Sequence, residues 1–312
     1  MPSGILIIDK PAGWTSMDVC AKVRGIFHEK RVGHGGTLDP MATGVLPVLT
    51  GRATKILPYL PVHDKRYTAQ VRLGFVSDTL DIWGEVRSTG VTAFPGRETV
   101  ESRLTAFRGD ILQIPPMYSA IKVGGVKACD AARKGRIIDL APRDIEVYDA
   151  RFEGVQVAEA PSDAVDATVQ AVWDVSFHVS KGTYIRSLAR DVGVALGCPA
   201  HVAALRRTRV GGLGLDECVS LEALARLHEQ AALDPVRMLG LRIAFLDEAR
   251  RAAVANGAAL DAAGVALFER RRASADAELC ACTAGMRESC ELPRDGELVS
   301  LVAGNRLVGL YE

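Results

Sequence analysis

The chain has 312 residues, 48% of them hydrophobic and 24% charged, with 38 basic and 38 acidic side chains that cancel. That length holds one large domain and a small one. The composition excludes a low-complexity chain, and no apolar run approaches the roughly 20 residues that cross a bilayer. Seven cysteines at irregular spacing argue against a disulfide framework and for reduced thiols in a cytoplasmic setting, and the opening MPSGILIIDK lacks the pattern of a signal peptide.

Ile5 to Ile8 form a short apolar run that ends at Asp9, Lys10, Pro11 and Gly13, which predicts a buried strand entering a turn. Thr15 or Ser16 then caps a helix carrying Val19, Val23 and Ile26/Phe27 at helical spacing. Residues 67–75 alternate, with Tyr67, Ala69, Val71 and Leu73 on one face and Thr68, Gln70 and Arg72 on the other, as in a half-buried strand. Residues 118–143 are polar, basic and contain glycines, and read as a surface insertion able to move. A longer alternation through Val169, Ala171, Trp173, Val175, Phe177 and Val179 predicts a second strand. It turns at Lys181-Gly182-Thr183 into a helix marked by Leu188, Val192 and Leu196 and stopped by Gly197.

After about residue 210, alanine-rich helices are expected to near residue 273. A cysteine-bearing stretch follows, then two short strands joined at Gly304-Asn305 in a small β-rich appendix. Strands and helices mix without a regular βαβ rhythm, so the fold class is α+β, a mixed sheet flanked by helices. The domain boundary falls near residues 235–245.

The charge is uneven. From residue 212 onward 11 basic face 16 acidic side chains, so the preceding part is net positive. Residues 21–66, 122–143 and 181–209 are each locally basic, a distribution suited to tracking a polyanion. Phosphate-binding loops, HExxH and the dinucleotide fingerprint are all missing. Cys280, Cys282 and Cys290 fall short of a zinc pattern, so neither metal nor cofactor is implied. What remains is GHGGTLDPMATG at residues 33–44. Pro40 holds Asp39 extended, and Gly35 and Gly36 leave room beside its carboxylate, in an ordinary turn or in a site.

Several segments then share one resemblance. GHGGTLDPMATG resembles the active-site motif of the bacterial tRNA pseudouridine-55 synthases, the TruB family. ILIIDKPAGWTS, the DKRYTAQVRLGFVSDTLDIWG run at 64–84 with its Asp78, Thr79, Asp81 and Gly84, IPPMYSAIKVGG at 114–125, KGTYIRSLARDVG at 181–193 and HVAALRRTRVG at 201–211 follow in family order. The match covers residues 4 to about 215. It implies a pseudouridine synthase fold over residues 1–235, with a mostly antiparallel central sheet and a mobile loop near 118–143, and a PUA-like domain over 240–312.

It also implies that a uridine at position 55 in the tRNA T-loop is isomerised to pseudouridine without cofactor. Asp39 would act as nucleophile or base, Arg186 as its ionic partner, and Tyr67 as the aromatic that stacks on the base and assists at C5. Tyr184 and Leu205 would line the uracil pocket, and His34 would enter the tRNA loop. The partner would be the T-arm of tRNA, met by a monomer with no obligate protein partner, and the 181–209 charges would face phosphate. Two readings compete with this: a tRNA-folding helper without chemistry, and a glycoside hydrolase using Asp39 and Asp78 as a carboxylate pair.

Overall fold

The computed structural model describes residues 4–158 except 62 and 92, residues 170–260 and 265–270, and residues 286–311 except 290, 292, 295 and 305. Nine strands build the main sheet: β1 (Ile5–Lys10), β2 (Val32–His34), β3 (Thr43–Thr50), β4 (Asp64–Leu73), β5 (Gly109–Gln113), β6 (Arg143–Ala158), β7 (Gln170–Ser180), β8 (Ala200–Val210) and β9 (Leu213–Gly214). The main path runs β1-β3-β8-β4-β7-β6-β5, with β2 added to β3 and β9 to β8. Every pairing is antiparallel except β3 with β8. The α+β class with a mixed, mostly antiparallel sheet is therefore as expected.

The apolar run of β1 is buried on both faces because two cores meet there. Leu6 and Ile8 enter one, and Ile5 and Ile7 the other. Three helices flank the sheet: α1 (Ser16–Phe27), α2 (Arg97–Ala106) and α3 (Ile185–Ala195). Thr15, not Ser16, caps α1. It accepts from the Asp18 amide at 3.0 Å, and its own amide donates to the Asp18 carboxylate at 2.8 Å. Ser16 is free for another task, described below. The alternating strands fall at β4 and β7, with Tyr67, Ala69, Val71 and Leu73 and then Ala171 to Val179 buried; Val169 lies outside the described residues.

The long strand β6 escaped the sequence pattern. Register shifts at Val147/Asp149 and at Phe152/Gly154 interrupt its alternation, so no single period runs its length. The 118–143 insertion is also more ordered than a polar loop. It holds a hairpin of Lys122–Val123 with Val126–Lys127 and a short helix Ala128–Ala132, anchored by buried Ala128, Ala131 and Leu140.

Beyond residue 210 the expected run of helices is broken. Short helices at Leu221–Leu227, Pro235–Leu239 and Glu248–Ala255 are followed or separated by short strands, the first at Ile243–Phe245. A second sheet of five strands runs Met286–Ser289, Leu267–Arg270, Ile243–Phe245, Val299–Ala303 and Arg306–Tyr311. Alanine richness hid the three-residue central strand, since its pairing comes from chain far along the sequence. The last two strands form the expected hairpin, whose Asn305 lies outside the described residues. Among the described residues no helix is long and apolar enough to cross a membrane.

Candidate active site

Asp39 lies between β2 and β3 on a loop fastened at several points. The Leu38 amide donates to Ser16 Oγ at 2.9 Å, the Ser16 hydroxyl lies 3.2 Å from the Leu38 carbonyl, and the Gly13 amide donates to the Pro40 carbonyl at 2.9 Å. Leu38, Met41 and Ala42 are buried on either side of it. Gly44 closes the loop at φ +99°, and a Cβ there would collide with the Arg207 carbonyl oxygen. Only glycine allows β3 to approach β8 so closely.

Arg186 reaches Asp39 from the first turn of α3. Its Nε lies 2.8 Å from Asp39 Oδ2 as an ion-pair contact, and its Nη2 donates a hydrogen bond to Oδ1 at 2.9 Å, so both carboxylate oxygens face the guanidinium. The rest of the guanidinium is also occupied. Nη1 donates to the Thr79 carbonyl at 2.8 Å and stands 3.5 Å from Asp81 Oδ2, and Nη2 donates to the Tyr118 carbonyl at 3.0 Å. A cation at a helix N-terminus is disfavoured by the helix dipole, and two carboxylates offset that here. The Arg186 side chain is 4% exposed, whereas that of Asp39 keeps 31%: the partner is buried and the carboxylate is open to a ligand.

Burial pushes the Asp39 carboxyl above the usual carboxylate range, and nearby Asp81 pushes the same way. Arg186 and Lys10 pull against them. The carboxylate facing Asp39 across Arg186 is Asp81, not Asp78. Asp78 accepts instead from the Glu85 amide at 2.8 Å and the Tyr118 hydroxyl at 3.3 Å, which leaves the Asp39–Asp78 pair of the hydrolase reading without a geometric basis.

Two fully buried cations that were not singled out in the sequence hold the loop from behind. Lys10 Nζ donates to the carbonyls of Pro11 at 2.8 Å, Trp14 at 2.6 Å and Pro40 at 3.2 Å. Burial lowers its pKa to about 8, with Asp39 opposing that shift. Arg207 donates to the carbonyls of Val45 at 2.7 Å, Gly36 at 3.1 Å and Thr37 at 3.3 Å. A signal for Arg207 existed. Leu205 and Arg207 are two apart on β8, so if Leu205 points inward, Arg207 does too. Lysine at position 207 keeps the charge, but its donors radiate from a single nitrogen and cannot reach the three separate positions filled by Nε, Nη1 and Nη2 of the fork. Arg207→Lys is expected to cost about 2–3 kcal/mol of stability, read as a lower urea midpoint; an unchanged midpoint would contradict this clamp.

The remaining expected residues reach the site by different routes. Tyr184 caps α3 two residues before Arg186 and is fixed by reciprocal bonds with buried Gln113: its amide donates to Oε1 at 2.9 Å, and its carbonyl accepts from Nε2 at 3.1 Å. Burial raises its phenol pKa. Tyr67 is buried on β4 directly opposite Arg207, and Leu205 lies on the same face beside Ala69. His34 ends β2, its pKa lowered by burial and then by Arg207. Among the described residues, the hydrogen bonds and ion pairs to the Asp39 carboxylate come from Arg186 alone; Tyr67 and Leu205 share a buried core with Leu38 and Met41, which flank Asp39.

Of the six basic side chains at 181–209, Lys181 and Arg209 are exposed and the other four are engaged within the protein. Arg186 and Arg207 are buried on protein partners, Arg190 pairs with Asp191 at 2.8 Å, and Arg206 pairs with Asp9 at 2.8 Å. Cys280, Cys282 and Cys290 lie outside the described residues.

Comparison with known proteins gives two family matches. Residues 24–185 match the TruB family pseudouridylate synthase N-terminal domain, and residues 186–239 match the tRNA pseudouridylate synthase B C-terminal domain. The tRNA pseudouridine synthase B of Mycobacteroides abscessus is 44% identical over 264 residues, covering 84% of this chain and 86% of that one. That of Mycobacterium tuberculosis is 45% identical over 263 residues, covering 84% and 85%. The solved structure of a Cbf5-Nop10-Gar1 complex superposes with a TM-score of 0.62 at 26% identity, covering 98% of this chain and 77% of that one.

Proposed function

Since this chain belongs to the TruB family of pseudouridylate synthases, we propose that Asp39 drives isomerisation of the uridine at position 55 in the T-loop of tRNA. The protein converts uridine in tRNA to pseudouridine. In that reaction the N1–C1′ bond breaks, the freed uracil turns, C5 bonds to C1′, C5 loses its proton and N1 gains one. Substrate and product are isomers, so the balance calls for no oxidant, reductant or added group.

The observation that carries the reading is the accessible Asp39 carboxylate, both oxygens of which face a buried Arg186. A carboxylate acting on C1′ as nucleophile, or on a sugar proton as base, must be ionised, aimed and reachable; Arg186 favours the ionised form against burial and aims it, and the exposure of the Asp39 side chain leaves it reachable. A protein that only bound RNA would have no physical need for that buried pair, which favours catalysis over the folding-helper reading.

A uridine stacked in a folded loop must be extruded before its glycosidic bond can be reached. Tyr67, Tyr184 and Leu205 then form the apolar wall of the uracil pocket, and His34 stands at its mouth. The exposed Lys122, Lys127, Arg133, Lys134, Arg136 and Arg143 of the insertion meet the T-arm phosphates. Residues 1–235 constitute the catalytic domain and residues 240–312 a PUA-like domain, and the acidic balance of the chain from residue 212 onward argues against strong RNA contact there. The enzyme acts in the cytoplasm as a monomer without an obligate protein partner.

The test is an unmodified tRNA transcript incubated with the protein and mapped by carbodiimide labelling and primer extension. A single new stop in the T-loop is expected, lost when the target uridine is replaced by cytidine. Tight tRNA binding with no stop would instead establish the folding helper.

A further inference from the structure

Trp83 and Ile82 expose 56% and 46% of their surface, on the turn that carries Asp81. The other two tryptophans of the chain differ: Trp173 is 2% exposed and Trp14 packs against the core. The turn under Trp83 is rigid. Asp81 Oδ1 accepts from the Trp83 amide at 3.0 Å and from the Thr79 hydroxyl at 2.7 Å. Leu80 is held in the left-handed region at φ +62°, a conformation a leucine keeps only when its surroundings impose it. A Cβ at Gly84 would run into the Asp78, Thr79 and Ser77 side chains.

The turn is also joined to the chemistry. From the Trp83 amide to Asp81, from Asp81 to Arg186 and from Arg186 to Asp39 there are three successive contacts, each 3.5 Å or shorter. Through Asp78 and the Tyr118 hydroxyl it also touches the start of the basic insertion. An exposed indole thus stands on a fixed stretch of backbone, at the seam between Asp39 and the insertion.

We infer that Trp83 is a stacking platform for an unpaired tRNA base next to the extruded uridine, with Ile82 extending its apolar surface. The inference rests on the reading of this site as a tRNA pseudouridine synthase. Extruding one nucleotide unstacks its neighbours, and an aromatic side chain carried on a fixed turn offers a replacement face with only its own two side-chain torsions left to order. Two side chains fall far short of the roughly 800 Å² per partner that a stable protein interface buries, which favours a base over a second polypeptide.

The experiment uses an Asp39→Asn background, so that binding is read without turnover, and a T-arm stem-loop RNA. In that background RNA is expected to quench tryptophan emission. Adding Trp83→Ala should abolish most of the quenching and weaken Kd by about 10- to 100-fold, with unchanged thermal melting because the indole is exposed. Adding Trp83→Tyr should keep affinity within a few fold. Equal Kd and equal quenching with Trp83→Ala would overturn the proposal. So would unchanged RNA affinity with a change in sedimentation, which would mark the patch as a contact between copies. If the wild-type protein makes no pseudouridine but Trp83→Ala still loses RNA affinity, the catalytic reading fails and the stacking surface stands.

Discussion

Asp39→Asn is expected to reduce pseudouridine formation by at least about 10,000-fold, while tRNA affinity changes no more than a few fold. The asparagine is nearly isosteric and stays within reach of Arg186, so the loop keeps its shape. What it loses is the negative charge, and both chemical roles open to the carboxylate depend on that charge. A 10,000-fold loss corresponds to about 5.5 kcal/mol of transition-state stabilisation, more than a neutral hydrogen bond contributes. Single-turnover kinetics with saturating protein separate this loss from any change in binding. Residual turnover within tenfold of wild type would show that another group does the chemistry.

Arg186→Gln should be nearly as damaging, and its signature lies in the pH profile. Asp39 already has its pKa raised by burial and by Asp81, with Arg186 as the foremost opposing charge. Activity of the wild-type enzyme should therefore fall as pH drops through a value above the usual carboxylate range, because protonation removes the active form. Without the guanidinium the Asp39 pKa rises further, so the acid limb moves to higher pH. Turnover at pH 7 is expected to fall roughly 1,000-fold, with partial recovery toward pH 9 as the carboxylate ionises. The Thr79 and Tyr118 carbonyls also lose a donor, which adds a stability loss of about 1–3 kcal/mol. An acid limb at the same pH in variant and wild type would show that Arg186 does not govern the ionisation of Asp39.

The strands Ile5–Lys10, Asp64–Leu73 and Gln170–Ser180 and the helix at Leu188 were legible because each writes its own period into neighbouring residues. Strand Arg143–Ala158 was not, since two bulges reset its phase. Ile243–Phe245 was not either, because its strand character comes from partners at 267–268 and 300–302. At the site, Asp39 stood out through the glycines and proline around it, and Arg186 through its awkward place at a helix start. Lys10 and Arg207 gave weaker signals: a lysine beside a turn and the second of two arginines both pass for surface charges.

The amino-acid sequence by itself determined the glycine- and proline-framed setting of Asp39, the buried strand face that carries Tyr67, and a family resemblance that named the reaction. These follow from turn chemistry and side-chain periodicity, which act over a few residues. Only the tertiary structure decided that Arg186 spans Asp39 and Asp81, that Asp78 turns away toward Tyr118, and that two buried cations hold the Asp39 loop from behind. Most of those partners are backbone carbonyls. Every residue carries one, so no pattern of side chains marks which of them a folded chain will bring to a buried lysine or arginine.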